Sequence, residues 1–274
     1  MTPDLAVELI NVTVQLEQPL PDGQRTVGTG FLVSAPTPEG RPRTVLVTAA
    51  HVFDRMPNRE MKIGYRISDA DGSWAFAPQT LTIRDADRRL WTRHPERDVA
   101  VMEVKAPPAF ARAAIPAAWL AEGDSFSRYG MSPGDEMFAL GFPKGLSANK
   151  AGFPILRAGR VASYPLTPSR SNPTFLLDFA VFPGNSGGPV FLAEGGRRRP
   201  GAEPAPPLVA GVLTQQVELK NDRLEIGIVT HAAYVRETLA MLDGVAPPAG
   251  PVAPTQVADG GVDAIEVSTA ASAR

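Results

Sequence analysis

Pro183-Gly184-Asn185-Ser186-Gly187-Gly188-Pro189-Val190 is the stretch on which the reading of this chain turns. Glycines on both sides of a serine let the backbone turn tightly and expose Oγ. They also let a substrate carbonyl approach main-chain N–H groups without meeting a Cβ. A serine hydroxyl alone is a poor nucleophile and needs a base within hydrogen-bond reach. By itself a glycine-flanked serine is more often an ordinary turn, so its partners decide the matter.

The chain has three histidines. His51 follows Val45-Leu46-Val47-Thr48-Ala49-Ala50, an apolar run ending in small residues, which places the imidazole at a strand end. His94 lies in the polar run Arg93-His94-Pro95-Glu96-Arg97 and is expected to be solvated. His231 follows Thr230 at the start of a predicted helix, where a capping or surface role is expected. His51 is therefore the best base. A neutral histidine base needs an acid to fix its tautomer and stabilise the imidazolium. Asp98 opens the apolar run Val99-Ala100-Val101-Met102-Glu103-Val104, where its carboxylate sits at the strand mouth. Asp54 is too near His51 in sequence and reads as a loop residue. Asp178 reads as a structural acid.

Working outward, 25 Gly and 28 Pro among 274 residues describe a turn-rich chain rather than a helix bundle. Most apolar runs between residues 5 and 230 are short and bounded by turn residues, with no regular helical alternation. That pattern is all-β, a barrel or sandwich rather than βαβ units. Leu5 to Leu16 reads as an extended segment, with the Asn11-Val12-Thr13 sequon on a strand surface. A short helix near Ala109–Leu120 is interrupted by Pro116. Val235, Leu239 and Leu242, spaced i, i+4, i+7, predict a terminal helix with Thr230 as N-cap and Gly244 at the C′ position. Residues 245–274, rich in Ala, Pro and Val, read as a flexible tail.

A formal net charge of −2 gives no support to nucleic-acid binding. With no cysteine, disulfide scaffolds, thiol catalysis and thiolate metal sites are excluded, and no cofactor is expected. No run approaches a membrane span, and Met1-Thr2-Pro3-Asp4-Leu5 lacks the basic and apolar regions of a signal peptide. The chain reads as cytoplasmic, with export left open.

In order along the chain, Gly28–Ser34, Val47–Val52, Asp98–Val101, Gly134–Gly145, Gly159–Ser163, Gly184–Pro189 and Ala210–Thr214 resemble chymotrypsin-fold (trypsin-like) serine peptidases, nearest the bacterial HtrA-like branch. The order His, Asp, Ser is the one that fold uses. The resemblance implies two antiparallel β-barrels with a C-terminal helix and a site in the cleft between them. The first barrel (5–120) would carry His51 and Asp98, and the second (121–244) Ser186. The oxyanion hole falls to the Gly184-Asn185-Ser186 turn through the N–H groups of Gly184 and Ser186. Thr214 falls where the family places a hydroxyl near the triad acid, and Gln215 and Gln216 where an extended substrate pairs as an added strand.

Asn185 stands where trypsins have the aspartate that pairs with a newly cut N-terminus, so activation by that ion pair is not expected. No PDZ-like module is expected from residues 245–274. Ala180, with Val181 and Phe182 after it, stands where trypsin-like enzymes carry the acid that binds a P1 Arg or Lys, which predicts a small or medium apolar P1 residue. Arg197-Arg198-Arg199, in a long Gly/Pro loop from Gly195 to Pro207, reads as solvated. The expected function is a serine endopeptidase acting on protein or peptide. Its rival is a protease-shaped binding module with a latent site. Both leave room for a partner protein or larger system that supplies substrate or trigger.

Overall fold

The structure, a computed structural model, describes residues 4–21, 23–193, 206–219 and 222–248, with backbone alone at 215–219 and 222–224. The Arg197-Arg198-Arg199 cluster and residues 249–274 of the predicted tail lie outside the described residues.

The N-terminal segment corrects the first expectation. Leu5–Val12 is a helix, α1, and only from Thr13 does the chain extend into β1, Thr13–Pro19. The Asp4 side chain accepts from the N–H groups of Ala6 and Val7, which caps the first turn. Leu5, Leu9 and Val12 lie on one buried face at helical spacing. Asn11 of the sequon is thus in the last turn of a helix, not on a strand.

Strands β2 (Arg25–Ser34), β3 (Thr44–Thr48), β4 (Glu60–Ser68) and β5 (Trp74–Thr82) follow, with α2 (Ala50–Asp54) between β3 and β4. A small hairpin of β6 (Arg84–Asp85) and β7 (Arg88–Arg89) precedes β8 (Thr92–Arg93) and β9 (Ala100–Glu103). The ladder runs β5-β4-β1-β2-β3-β9-β8, and its pairs are antiparallel. Val14, Leu16, Phe31, Val33, Leu46 and Val101 are among the fully covered side chains of this half. The expected helix near Ala109–Leu120 is split as Pro116 requires. It becomes α3 (Pro108–Ala113), then a short strand β10 (Ile115–Pro116) parallel to the end of β2, then a 3-10 turn.

After a one-turn helix α4 (Ser125–Arg128), the second half is a closed barrel in the order β11-β12-β13-β16-β15-β14. These strands are β11 (Glu136–Gly141), β12 (Ile155–Val161), β13 (Thr174–Asp178), β14 (Pro189–Leu192), β15 (Val209–Leu219) and β16 (Asp222–His231). Leu140, Phe175, Leu177, Phe191, Val212 and Val229 fill it. The fold is all-β, of the chymotrypsin double-barrel type, with the first ladder open among the described residues and the second closed.

The terminal helix α5 (Ala232–Met241) carries Val235 and Leu239 inward as predicted. Its C-terminus closes with Gly244 N–H on Met241 C=O and Val245 N–H on Ala240 C=O, with Gly244 at φ 78°. That is the left-handed turn expected of a C′ glycine. The N-terminus differs. Thr230 stays in β16, and His231 occupies the N-cap without a side-chain cap bond. Helix α5 folds back onto the first half through a bidentate Arg43–Asp243 pair at 2.8 and 3.1 Å.

His231 is buried between the rings of Phe126 and Phe175, at 4.5 and 5.1 Å, contrary to the surface role expected of it. Its Nε2 has no hydrogen-bond partner. Burial pushes its pKa down from 6.5 to about 4, against a smaller upward push from a hydrogen bond to the backbone at Leu166. The unfolded chain therefore takes up a proton before the folded one does. Stability is level above the ordinary histidine pKa and declines as pH falls from there toward 4, by about 3 kcal/mol from this ring. We expect His231→Leu to flatten that part of the profile, measured as urea midpoints between pH 7.5 and 4.5.

Candidate active site

His51 is placed by the end of β3. The strand stops at Thr48, and Ala49 and Ala50 turn the chain into α2 without crowding it. Asp98 then meets His51 twice. Asp98 Oδ1 accepts from the His51 backbone N–H at 2.9 Å, and Asp98 Oδ2 lies 2.6 Å from His51 Nδ1. The double contact fixes both the position and the ring orientation of the histidine, and it directs Nε2 away from the acid. Burial pushes the Asp98 carboxyl upward, but its hydrogen bonds and charge interaction with His51 outweigh this and hold it below the usual carboxylate range. Both side chains keep about a fifth of their surface exposed, so the pair is open to solvent.

Asp98 sits in a loop held by the histidine that the sequence assigned to solvent. His94 is 2% exposed. Its Nδ1 accepts the backbone N–H groups of Glu96 and Arg97, and its Nε2 lies 3.3 Å from Glu237 of α5. Arg93 and Glu96 are exposed and Arg97 lies over the Tyr234 ring, while the His94 ring closes the turn beneath them. Asp54 ends α2 and pairs with Arg93 and Arg89. Asp178 is exposed at the end of β13.

The glycine-flanked segment docks against the strand end that carries His51. Gly187 has φ 92°, and a Cβ there would lie 2.0 Å from the Thr29 carbonyl oxygen and 2.2 Å from Thr48 Oγ1. Only glycine fits, in conformation and in space. Ser186 C=O accepts from Thr29 N–H at 2.9 Å, and Gly187 N–H donates to Leu213 C=O at 2.7 Å. The Ser186–Gly187 peptide is thus held at both ends, by Thr29 of the first sheet and Leu213 of the second barrel, and the Ser186 side chain is half-buried.

Pro183 and Gly184 form the corner of a turn closed by Asn185 N–H on Phe182 C=O at 3.0 Å. Gly184 has φ 98°, and a Cβ on it would overlap the Phe142 carbonyl oxygen at 2.3 Å. Pro183 C=O accepts from Lys144 N–H at 2.6 Å. In a trans peptide the N–H points opposite to the C=O, so the Gly184 N–H is turned away from Lys144. Among the described residues neither Gly184 N–H nor Ser186 N–H has an acceptor, whereas that of Asn185 is taken. Of the three expected oxyanion residues, Asn185 therefore contributes its place in the turn and not a donor. Its side-chain Oδ1 is buried without a partner.

One expected contact is not made. The Ser186 hydroxyl donates to the Thr214 carbonyl at 3.1 Å, and among the described residues His51 Nε2 has no hydrogen bond. Thr214 lies at a bulge in the β15–β16 ladder, which turns its carbonyl out of the sheet. Its hydroxyl donates to Ile228 C=O at 3.2 Å rather than to Asp98. Gln215 and Gln216 continue β15, paired with Ile228 and Gly227, and their side chains are outside the described residues. Ala180 and Phe182 are half-buried and Val181 is buried. The Phe182 ring has Lys144 Nζ and the Arg157 guanidinium each 5.7 Å from its centre. The sequence assigns no role to Lys144 or Thr29, because both bond to carbonyls far away along the chain. Among the described residues no group of three or more His, Asp or Glu side chains gathers as a metal site.

A double-barrel fold with a histidine–carboxylate pair against a glycine-cornered serine turn defines the class of trypsin-like peptidases. The model of the trypsin-like peptidase domain matches residues 28–197, well over half the chain, and the chain belongs to that family. No curated protein matches it. Among solved structures it is similar to the HtrA-type protease AlgW with a tripeptide, at 17% identity and a TM-score of 0.53, covering 88% of this chain and 64% of that one. The same protease with a decapeptide gives 17% and 0.52, covering 87% and 66%. The chain spans just under two thirds of those chains, and at this identity the likeness shows the fold. Among the described residues no helix is long and apolar enough to cross a membrane.

Replacing Gly187 by Ala combines backbone strain with overlap, whereas Gly72, at φ 84°, has nothing near an added Cβ. We expect Gly187→Ala to lose about 2–4 kcal/mol of stability and Gly72→Ala about 1, read from urea denaturation.

Proposed function

We propose that this chain is a serine endopeptidase that cleaves protein or peptide through an acyl-enzyme, with residues 5–120 and 121–244 as the two barrel halves flanking the cleft. The observation that carries the reading is the 2.6 Å His51–Asp98 contact beside a turn with two uncommitted N–H groups. In the reaction Ser186 Oγ attacks the substrate carbonyl while His51 Nε2 takes its proton. Asp98 holds the Nδ1–H tautomer and stabilises the imidazolium. The Gly184 and Ser186 N–H groups receive the oxyanion. His51 then gives the proton to the leaving amine, and water repeats the cycle on the acyl-enzyme. The Ser186 hydroxyl reaches His51 by rotating about χ1 away from Thr214 C=O, a change that substrate binding drives.

A small or medium apolar P1 residue suits the proposed pocket wall of Ala180, Val181 and Phe182. Lys144 and Arg157 flanking the Phe182 ring add repulsion to the missing negative charge, and both disfavour a basic P1. Thr214, Gln215 and Gln216 offer an edge along which an extended substrate pairs. The Ser186–Thr214 hydrogen bond favours a second reading, a protease-shaped binding module whose site stays latent.

A fluorophosphonate probe separates the two. We expect labelling of the wild type at Ser186, lost in Ser186→Ala and His51→Ala. We expect Asp98→Asn to keep the fold and lower kcat by about ten-thousand-fold. A wild type left unlabelled in the presence of peptide substrates would favour the binding reading. Peptides with P1 Val or Leu are expected to be cleaved faster than those with P1 Arg or Lys, and the reverse order would overturn the pocket assignment.

A further inference from the structure

Thr29 lies at the centre of β2, fully buried, and all four of its polar functions are spent on the site or its support. Its N–H donates to Ser186 C=O at 2.9 Å. Its hydroxyl donates to Gly184 C=O at 2.7 Å and accepts the Phe142 N–H at 3.2 Å. Its carbonyl accepts from Thr48 Oγ1 at 2.7 Å, which ties it to the strand end that leads to His51. One side chain from the first sheet thus holds two separate segments of the second barrel.

What these bonds brace is the turn that carries the two uncommitted N–H groups. The hydroxyl sets the plane of the Gly184–Asn185 peptide by gripping its carbonyl. It also anchors Phe142, where the chain enters the turn over Pro143–Gly145. Within that turn Lys144, at φ 52°, presents its N–H to Pro183 C=O, and that bond aims the Gly184 N–H away from Lys144. Glycine offers little resistance to peptide rotation, so the orientation depends on what holds the carbonyls on either side. The carbonyl after Gly184 is held by the Thr29 hydroxyl itself, and the one before it by Lys144, two residues beyond the Phe142 that the same Oγ1 anchors.

We propose that Thr29 is a positioning residue whose hydroxyl braces the Gly184 turn and so presets the Gly184 N–H for the oxyanion. The proposal rests on the peptidase reading, and it predicts a defect in the transition state rather than in substrate binding. Thr29→Val keeps the shape and removes the hydroxyl, and Thr29→Ser restores it. In the full chain we expect Thr29→Val to lower kcat by about tenfold or more with KM little changed. A peptide boronate, whose tetrahedral adduct places an oxygen on the Gly184 and Ser186 N–H groups, should bind more weakly by a similar factor. Thr29→Ser should recover both to within about threefold.

Amide hydrogen exchange over residues 182–188 gives a readout that needs no turnover. It should quicken in Thr29→Val and stay at the wild-type rate in Thr29→Ser. Wild-type kcat, boronate affinity and exchange in Thr29→Val would overturn the proposal, as would losses that Thr29→Ser fails to recover. If the wild type is not labelled by the fluorophosphonate, the peptidase reading fails, and the positioning role is then decided by exchange alone, faster in Thr29→Val for it and unchanged against it. Should Thr29→Val not fold, Thr29→Ala carries the same expectations and the same reversal.

Discussion

The contact on which the rest depends is the approach of the Gly187 backbone to the first sheet, and of Gly184 to the loop after β11, at distances that admit no side chain. Any Cβ at Gly187 would fall within 2.2 Å of Thr29 and Thr48 atoms, and one at Gly184 within 2.3 Å of Phe142. The closeness lets backbone groups of two sheets bond directly, as Thr29 N–H does to Ser186 C=O. Hydrophobic burial closes each half of the molecule but is non-directional. The register between the halves is set by a few directional bonds at this seam.

A second tie stands on the far side. Helix α5 returns from the second barrel and reaches Arg43 through Asp243 and His94 through Glu237, while Glu237 also accepts from Arg170 at 2.8 Å. The Arg43 side chain is nearly covered while Asp243 is exposed, so removing Asp243 leaves a buried charge without compensation, a destabilising event. The loop bearing Asp98 is braced by this helix through His94. The acid's position is thus built from residues more than a hundred positions downstream.

Much of the fold was legible because short apolar runs between turn residues state an all-β architecture locally, and the glycines around Ser186 state their own necessity. His51, Asp98 and Ser186 could be chosen because strand ends and turns announce themselves in neighbouring residues. His94 and His231 were misread for the complementary reason. Each is covered by groups distant in sequence, such as Glu237 over His94 and Phe126 over His231. Helix α1 was missed because Val12, Val14 and Leu16 alternate as a strand should. The alternation ran back over a stretch whose true marker is Asp4, capping the turn that follows it. Thr29 and Lys144 carried no local signal, since what they do depends on carbonyls across the seam.

Arg66 shows what such long-range bonding implies for the way the molecule comes apart. The residue is 2% exposed, and its guanidinium is met by the carbonyls of Ile10, Asn11, Thr13 and Gly152, with the rings of Phe110 and Phe153 at 5.2 and 4.8 Å. Burial draws its pKa down to about 10, still leaving it a cation at neutral pH. Two of those carbonyls belong to the end of α1 and one to the second barrel. If the amino-terminal helix frayed on its own, a full positive charge would lose half its ligation inside a poorly polarisable interior. Peeling that helix away therefore favours loss of the strands it leads into, so the amino terminus melts with the body of the protein rather than ahead of it.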